Sequence, residues 1–348
     1  MRSGVFLGMS SIRYSIRYSI IVAVYNRPDE MDELLESLSQ QTLRNFEVVV
    51  VEDGSQQPSK AVCDRYAGQL EISYFAKENS GPGLSRNYGC DRARGEVFLF
   101  LDSDCTVPPT WLEVVDHGLH TTGFDAFGGP DREHDAFSPL QKAISYAMTS
   151  VLTTGGIRGS KIRVGGAFHP RSFNMGMRRE VYTTTHGFST MRFGEDIDFS
   201  IRMVKAGFQV GLLPEAWVYH KRRTDLKKFF KQVHNSGMAR INLTLRHPGT
   251  LKLTHFFPAA FTVYVAVALL YLVIHPLGVW ALLPLAVWGA AIALHASLRM
   301  RSASIGVLAV LASMVQMIGY GTGFIRGLVR RVILNKPEGY AYQNTFYK

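Results

Sequence analysis

Short apolar runs alternate with amphipathic stretches along the first part of the chain. Residues 18–25 (YSIIVAVY), 46–55 (FEVVVVEDGS) and 97–101 (VFLFL) are dominated by apolar and β-branched side chains, which is typical of buried strands. Between the first two runs, residues 26–42 carry apolar side chains at helical spacing, namely Met31, Leu34, Leu35 and Leu38. A further strand is predicted at 70–78, with a helix on either side of it. Because strand and helix alternate, the sequence predicts an α/β fold with a mostly parallel sheet.

Three strands of this predicted sheet are followed by polar side chains of interest. Asn26 comes after the first strand, Asp53 after the second, and Asp102 and Asp104 directly after VFLFL. Ligands bind at the carboxyl ends of the strands in such sheets. Two aspartates separated by one residue share a face of an extended segment, and their oxygens suit Mg²⁺ or Mn²⁺. The alternative is a solvated turn, in which aspartate is also common.

The pattern becomes looser after residue 110. Glycine-rich pieces at 127–131, 153–161 and 163–170 predict a loop-rich half laid over the sheet, with room for a mobile lid. A helix is predicted within 192–210, with Gly207 at its end and with a buried face formed by Ile197, Ile201 and Val204. A last short strand is predicted at 216–220.

Two long stretches contain no charged residue. Residues 256–298 could form two membrane-spanning helices of about 20 residues each, with a turn at 275–278. Residues 302–325 could form a third span. Three spans would place the basic segment 326–336 on the side opposite the catalytic half, against the positive-inside rule. The sequence therefore predicts two spans, and leaves the third segment open as a span or as a re-entrant or interfacial helix.

The formal net charge of +10 is concentrated beside the apolar stretches. Residues 221–255 contain nine Lys and Arg residues and one acid, Asp225. A basic amphipathic segment next to a span favours the cytoplasmic membrane surface and anionic lipid over nucleic acid. The odd number of cysteines, without CxxC spacing, argues against a disulfide framework or a zinc site and fits a reducing cytosol. The apolar run at 19–25 is too short for a convincing signal peptide.

Several segments, in order, carry a resemblance to a known family. They cover about residues 18–220 and read SIIVAVYNRPDEMDELLESLSQQT, VVVVEDGS, ENSGPGLSRNYG, FLFLDSD and FNMGMRREVY…HGF…FGEDIDFSIRMVKAGF. In these features the chain resembles the family 2 glycosyltransferases. This resemblance implies a GT-A fold, a nucleotide-sugar donor and an inverting reaction.

The resemblance also implies a donor site and a divalent cofactor, Mg²⁺ or Mn²⁺. Asp102 and Asp104 correspond to the metal-binding aspartates of the family, with Asp104 the more direct ligand and His220 completing the site. The residues implied to contact the nucleotide sugar are Ala23, Tyr25, Asn26, Asp53, Arg86, Asp102 and Ser103. Turn chemistry is the alternative role for Asp53, and simple packing is the alternative for His220. Lys and Arg residues at 221–223 are further candidates for neutralising the diphosphate.

The family's catalytic element corresponds to Glu195–Asp196, with Asp196 as the general base. A carboxylate stabilised by the start of a helix is the alternative role for Asp196. Asp198 and Arg202, four residues apart, are predicted to be a structural ion pair. Arg86 replaces the third glycine of a GxGxxG pattern, which disfavours a dinucleotide site. Two further residues are pocket candidates: His169 and Asn174.

The function we expect is transfer of a sugar from a nucleotide sugar, with a UDP-sugar favoured, to a membrane-embedded acceptor in cell-surface polysaccharide synthesis. The acceptor expected first is a polyisoprenyl-linked saccharide at the bacterial inner membrane, with the catalytic domain in the cytosol. A polyprenyl-phosphate glycosyltransferase and a processive polysaccharide synthase are alternatives, and the second is disfavoured because Gln232 is not followed by an Arg-Trp pair. A scaffold without turnover and a sugar-phosphate nucleotidyltransferase are disfavoured, and a homo-oligomer is left open.

These inferences divide the chain into five parts. They are a leader at 1–17, the catalytic domain at 18–223, a basic amphipathic segment at 224–254, transmembrane helices at 255–330 and a tail at 331–348.

Overall fold

The computed structural model describes residues 17–132, 137–154, 168–221 and 225–340. Most of the predicted leader, part of the glycine-rich stretches at 153–161 and 163–170, the basic pair at 222–223 and the end of the tail lie outside these described residues.

Ten strands form two sheets in the described residues. The strands are β1 Tyr18–Val24, β2 Phe46–Asp53, β3 Ile72–Lys77, β4 Val97–Leu101, β5 Cys105–Thr106, β6 Ala126–Gly128, β7 Asp131–Arg132, β8 Asn174–Arg178, β9 Val210–Leu212 and β10 Val218–His220. Seven make the main sheet, in the order β3-β2-β1-β4-β8-β6-β9, and three make a small sheet in the order β5-β10-β7. β8 runs antiparallel to both of its neighbours, and the other pairs of the main sheet are parallel. The mostly parallel sheet predicted from the sequence is confirmed.

The helices pack on both faces of the sheet and continue into an apolar C-terminal group. They are α1 Pro28–Ser39, α2 Lys60–Tyr66, α3 Pro82–Cys90, α4 Trp111–Thr122, α5 Pro139–Thr149, α6 Val151–Thr154, α7 Arg179–Thr185, α8 Glu195–Lys205, α9 Leu226–Arg246, α10 Phe257–Ile274, α11 Leu283–Met300 and α12 Ala303–Leu328. Shorter turns of 3₁₀ helix at Leu253–His255 and Pro276–Leu282 flank α10, and a π-helical turn at Val329–Ile333 follows α12.

The period-two alternation of the strands divides the core between the two faces of the sheet. Ile20, Val22 and Val48 pack with the predicted apolar stripe of α1, whereas Ile21 and Val49 pack on the other face with α3 and α8. The four predicted positions of that stripe, Met31, Leu34, Leu35 and Leu38, are all buried.

Two expectations about the second half of the chain are wrong. The glycine-rich stretch at 127–131 does not form only loop, because parts of it belong to β6 and β7. The second half adds β6, β8 and β9 to the main sheet, and this pairing depends on partners distant in sequence. The buried face of α8 also differs from the predicted one. Val204 is 38% exposed, whereas Phe199 and Met203 are buried beside Ile201. The helix does end before Gly207, which has a φ of 89°.

Among the residues that the structure describes, three C-terminal helical segments are long and apolar enough to cross a membrane: Leu253–Ile274, Pro276–Met300 and Ala303–Ile333. The first two leave most of their side chains exposed, whereas α12 packs against α5, α9, α10 and α11. The predicted apolar face of α9 is buried at Phe229, Val233 and Ile241, although Leu245 is 46% exposed. The two helices α9 and α12 approach closely, since a Cβ added at Gly323 would lie 1.9 Å from the carbonyl oxygen of His234.

Candidate active site

Arg86 joins the two acidic elements that are far apart in sequence. Its guanidinium is buried, with Nη2 2.6 Å from Asp102 Oδ1 and Nη1 3.3 Å from Glu195 Oε1. Asp102 follows β4, Arg86 lies on α3 and Glu195 begins α8. The structure therefore brings the Asp-Ser-Asp and Glu-Asp elements to one cation, at the carboxyl end of a central strand.

Asp104 lies between a second arginine and a histidine. Arg27 Nη1 donates to Asp104 Oδ2 at 2.6 Å, and His220 Nε2 lies 3.2 Å from Oδ1. The histidine reaches this position because β10 pairs with β5, where His220 is opposite Cys105. Its ring stacks on Phe173 with centroids 4.8 Å apart. Within the described part of the chain, His220 Nδ1 is buried without a hydrogen-bond partner.

The donor atoms of Asp104 and His220 fit a divalent ion. Two ligand atoms that are each about 2.1 Å from one ion and at a right angle lie about 3 Å apart. The 3.2 Å between His220 Nε2 and Asp104 Oδ1 is close to that separation. Cys105 lies within the same cluster, but its Sγ is 3.6 Å from the Phe173 carbonyl oxygen and burial raises the pKa of the thiol. The carboxylate of Asp104 and the imidazole of His220 are therefore better candidate ligands than the Cys105 thiol, and Asp102 lies beside them.

Glu195 and Asp196 occupy the first turn of α8, next to Gly194, which has a φ of 79°. Burial and the neighbouring Asp196 carboxylate raise the pKa of Glu195 to about 7, although Arg86 opposes the shift. Asp196 accepts a hydrogen bond from the Ile197 amide at 2.8 Å and lies 3.5 Å from Arg171 Nε. Near neutral pH Glu195 can thus hold a proton.

Asp53, the residue expected to contact the nucleotide, lies in a network at the ends of β2 and β3. Its carboxylate accepts hydrogen bonds from Lys77 Nζ at 2.8 Å and from the amides of Ser80 and Gly81 at 2.8 and 2.9 Å. Burial alone would raise its pKa, but the bonds from Lys77 and Ser80 hold the pKa of Asp53 below its ordinary value. Asp53 therefore also shapes the turn, and its contact with a nucleotide stays a prediction.

The remaining donor-site candidates line the end of β1 and the turn after β4. Ala23 and Tyr25 are half-buried, and Ser103 is buried. Asn26 has a φ of 52°, and its Oδ1 accepts hydrogen bonds from the amides of Gln56 and Gln57 at 2.7 and 3.0 Å. Asn26 thus connects the ends of β1 and β2.

His169 and Asn174 belong to different surroundings. His169 Nδ1 is 2.6 Å from Ser200 Oγ on α8. Burial, together with nearby cations such as Arg240, lowers the pKa of His169 to about 4, so the ring is neutral at pH 7. Asn174 is buried in β8 and donates to the Ala216 carbonyl oxygen at 2.7 Å, which is a structural contact.

The predicted Asp198–Arg202 pair is confirmed. Arg202 Nε lies 3.0 Å from Asp198 Oδ2, and His247 Nε2 lies 2.9 Å from the other carboxylate oxygen. This buried carboxylate therefore fixes α8 to the end of α9.

Sequence reasoning missed three cations of the site: Arg27, Lys77 and Arg171. Arg27 directly follows Asn26 at the end of β1, and Lys77 is the last residue of β3. The rule that selected Asp53, proximity to the carboxyl end of a strand, would have selected both. Arg171 lies in a loop where the sequence pattern gives no such signal.

Two family models match the chain. Glycosyl transferase family 2 matches residues 19–185, and Glycosyl transferase family group 2 matches residues 137–314, which is just over half of the chain. The chain belongs to the family 2 glycosyltransferases. The resemblance inferred from the sequence is thereby confirmed.

Individual relatives of this glycosyltransferase match to different extents. The succinoglycan biosynthesis protein ExoA of Rhizobium meliloti (strain 1021) is 26% identical over 323 residues, which cover 89% of this chain and 94% of ExoA. The cholesterol galactosyltransferase of Borreliella burgdorferi is 31% identical over 108 residues. That match covers 31% of this chain and 30% of the relative, so the chain spans less than a third of that relative's length.

The fold also matches a solved structure. The mannosyltransferase PcManGT from Pyrobaculum calidifontis, solved in complex with GDP-Man and Mn²⁺, has a TM-score of 0.57 and 18% sequence identity. The match covers 90% of this chain and 88% of PcManGT. At this identity the likeness concerns the fold alone, and it confirms the predicted GT-A fold.

Proposed function

We propose that this family 2 glycosyltransferase is an inverting enzyme that transfers a sugar from a nucleotide sugar to a lipid-linked saccharide acceptor in cell-surface polysaccharide synthesis. The observation that carries the proposal is the bridge from Asp102 through Arg86 to Glu195, because it brings a diphosphate-binding element beside a candidate base. The similarity to ExoA over most of the chain supports a role in polysaccharide synthesis. The apolar helices support a membrane-embedded acceptor.

The donor half of the site binds the nucleoside diphosphate that leaves during transfer. Asp104 and His220, with Asp102 beside them, would hold Mg²⁺ or Mn²⁺, and this ion would supply positive charge opposite the leaving diphosphate. Arg27 Nη1 forms an ion pair with Asp104 Oδ2, and Arg86 Nη2 forms one with Asp102 Oδ1, each at 2.6 Å. These arginines keep both carboxylates oriented in the protein without a donor. Asp53 is the proposed contact for the nucleotide base, with a UDP-sugar the favoured donor.

The acceptor half of the site removes a proton from the attacking hydroxyl. Asp196 takes this proton, and Glu195, whose pKa burial and the neighbouring Asp196 carboxylate raise to about 7, can carry a proton of its own near neutral pH. A positioned general base of this kind contributes roughly 10²–10⁴-fold to the rate. A single base is sufficient for a direct displacement, which inverts the anomeric centre.

The proposed location is the bacterial cytoplasmic membrane, with the catalytic domain on the cytosolic side. Seven of the basic residues in the stretch 221–255 lie in its described part, next to the first candidate span. This arrangement supports an orientation in which these cations face anionic lipid.

A transfer assay on membranes that contain the full chain tests the proposal. Radiolabelled UDP- and GDP-sugars are supplied with Mn²⁺ or Mg²⁺ in the presence of extracted lipid-linked saccharides, and label is counted in the organic phase. One donor should give metal-dependent labelling that Asp104→Asn abolishes and Asp64→Asn preserves, because Asp64 is an exposed residue of α2 that pairs with the surface residue Lys60. Labelling that is equal with chelator and with metal, or equal in Asp104→Asn, would contradict the proposed donor site.

A further inference from the structure

A cavity of about 430 Å³ lies at the C-terminal end of α12. Its lining combines three apolar and three cationic side chains: Ile325, Val329, Leu334, Arg326, Arg330 and Lys336. Among the residues that the structure describes, none of these three cations is ion-paired with a carboxylate, and Glu338 pairs instead with Arg246 at 2.9 Å. A cavity that is apolar on one part and cationic on another fits a ligand with an anionic head and a hydrocarbon chain.

The start of α12 and the segment that follows its end both contact the catalytic domain. Near its start, Ile305, Ala309 and Ala312 share a buried cluster with α5, which lies in the chain between β7 and β8. Beyond its end, the Tyr340 ring is 5.0 Å from that of Phe193, just before the catalytic turn. A helix that crossed the bilayer would have its two ends on opposite sides of the membrane. These contacts place the cavity on the catalytic side.

The contacts between the apolar helices also show that the three helices do not have parallel axes. Contacts run in antiparallel order in three pairings. Tyr264 and Phe261 of α10 contact Ala281 in the 3₁₀ turn and Trp288 of α11. Between α11 and α12, Ala293 is next to Gly306 and Gly289 next to Val310; between α10 and α12, Thr262 is next to Met317 and Pro258 next to Gly321. Three helices with nearly parallel axes cannot all be mutually antiparallel. At least one of these helices is therefore inclined to the others, and the three do not form a bundle of parallel spans.

We propose that this cavity binds the phosphate headgroup of an anionic bilayer phospholipid, on the side of the membrane that carries the catalytic domain. Basic pockets between membrane helices bind such headgroups, and each Lys or Arg near the surface strengthens the attraction. Under this proposal α10 and α11 form the membrane-spanning hairpin, and α12 lies along the catalytic side. The basic segment 326–336 then obeys the positive-inside rule.

The position of α9 favours a bilayer lipid over the acceptor as occupant. Ala239 and Leu243 of α9 face Gly194 at the catalytic turn, whereas Met238 and Ile241 face Gly327 of α12. With 3.6 residues per turn, these two pairs lie on nearly opposite faces of α9, and a helix with its side chains is about 10–12 Å thick. The body of α9 therefore separates α12 from Glu195 and Asp196. The proposal does not depend on which sugar is transferred.

Native mass spectrometry of the full chain in detergent tests lipid binding. Phosphatidylglycerol and phosphatidylcholine are titrated against the wild type, the double variant Arg326→Gln/Arg330→Gln, and a control, Arg299→Gln/Arg301→Gln. The control removes the same charge from exposed positions at the α11–α12 turn. We expect the wild type to prefer phosphatidylglycerol, the cavity variant to bind it at least about tenfold more weakly, and the control to bind within twofold of the wild type.

Three results would overturn the proposal. The first is an equal loss of phosphatidylglycerol in the two double variants, which would indicate unspecific attraction. The second is displacement of phosphatidylglycerol by farnesyl diphosphate or inorganic phosphate at lower concentration, which would assign the cavity to another ligand. The third is that an impermeant maleimide labels Lys336→Cys and Val279→Cys from the same side of the membrane. Under the proposal, the turn between α10 and α11, which contains Val279, faces the side opposite to Lys336. Labelling of the two cysteine variants from opposite sides of the membrane supports the proposal. The native cysteines Cys63, Cys90 and Cys105 are buried and should not react with the reagent.

Discussion

Replacement of Glu195 by glutamine should stabilise the protein increasingly as the pH rises. Burial and Asp196 raise the pKa of Glu195 from 4.5 to about 7 in the folded protein. A raised folded-state pKa contributes stability that is fully present below the unfolded value near 4.5, and this stability is lost as the pH rises through 7. Glutamine cannot ionise, so the variant does not lose stability in this way.

The size of the effect follows from the shift itself. Each pKa unit corresponds to 1.36 kcal/mol, so the shift from 4.5 to about 7 corresponds to about 3 kcal/mol. We therefore expect Glu195→Gln and the wild type to have similar stability near pH 4.5 and the variant to be more stable by up to about 3 kcal/mol at pH 8.5. The amide oxygen of glutamine can still accept the hydrogen bond that Arg86 Nη1 donates to Glu195 at 3.3 Å.

Thermal unfolding of the full chain in detergent, at one scan rate and at pH 4.5, 7 and 8.5, measures this difference. Glu36→Gln, at an exposed position of α1, removes a carboxylate without burial and should change the apparent Tm little at any of these values. A Tm that Glu195→Gln lowers most at pH 8.5 would contradict this prediction. An offset from the wild type that does not change with pH would contradict it equally, because the folded and unfolded proteins would then bind the Glu195 proton with the same affinity.

Three further predictions concern the site and the helix packing. Arg86→Lys keeps one positive charge, but a lysine cannot contact Asp102 and Glu195 at the same time as the guanidinium does. The rate of sugar transfer should therefore fall about 10²-fold in initial-rate assays. The control Arg65→Lys, on the surface, should keep the wild-type rate. Asp53→Asn should weaken nucleotide-sugar binding in calorimetry at least about tenfold, and unchanged affinity would leave Asp53 a turn residue only. Gly323→Leu should destabilise the protein by at least about 1–3 kcal/mol through a clash with α9, measured as a lower Tm in detergent beside the exposed control Val307→Leu.

The parts of the fold that could be predicted are those whose signal is local. The buried strands β1, β2 and β4 are continuous apolar runs, and the stripe on α1 repeats at helical spacing, so each is readable from its own residues. The strands β6 and β9 are only three residues long each, and their place in the sheet is set by partners far along the chain. No local pattern encodes that pairing.

The candidate site was predictable in its residue types more than in its contacts. Asp102, Glu195 and Arg86 could each be selected, but their meeting depends on how α3 and α8 pack against β4. The buried face of α8 was misplaced because Val204 is apolar but exposed, whereas Asp198 is charged but buried with His247 and Arg202. A tertiary ion pair of this kind overrides the simple hydrophobic pattern of the helix.

The central claim is that Asp196 removes the acceptor proton while the rest of the site binds the donor. The most direct measurement compares the turnover and the donor affinity of Asp196→Asn with those of the wild type, using the same purified full chain. We predict that turnover falls by roughly 10²–10⁴-fold while the Kd for the nucleotide sugar changes less than about twofold. A variant that keeps most of its turnover, or one that loses donor binding in proportion to its rate, would contradict the assignment of Asp196 as the base.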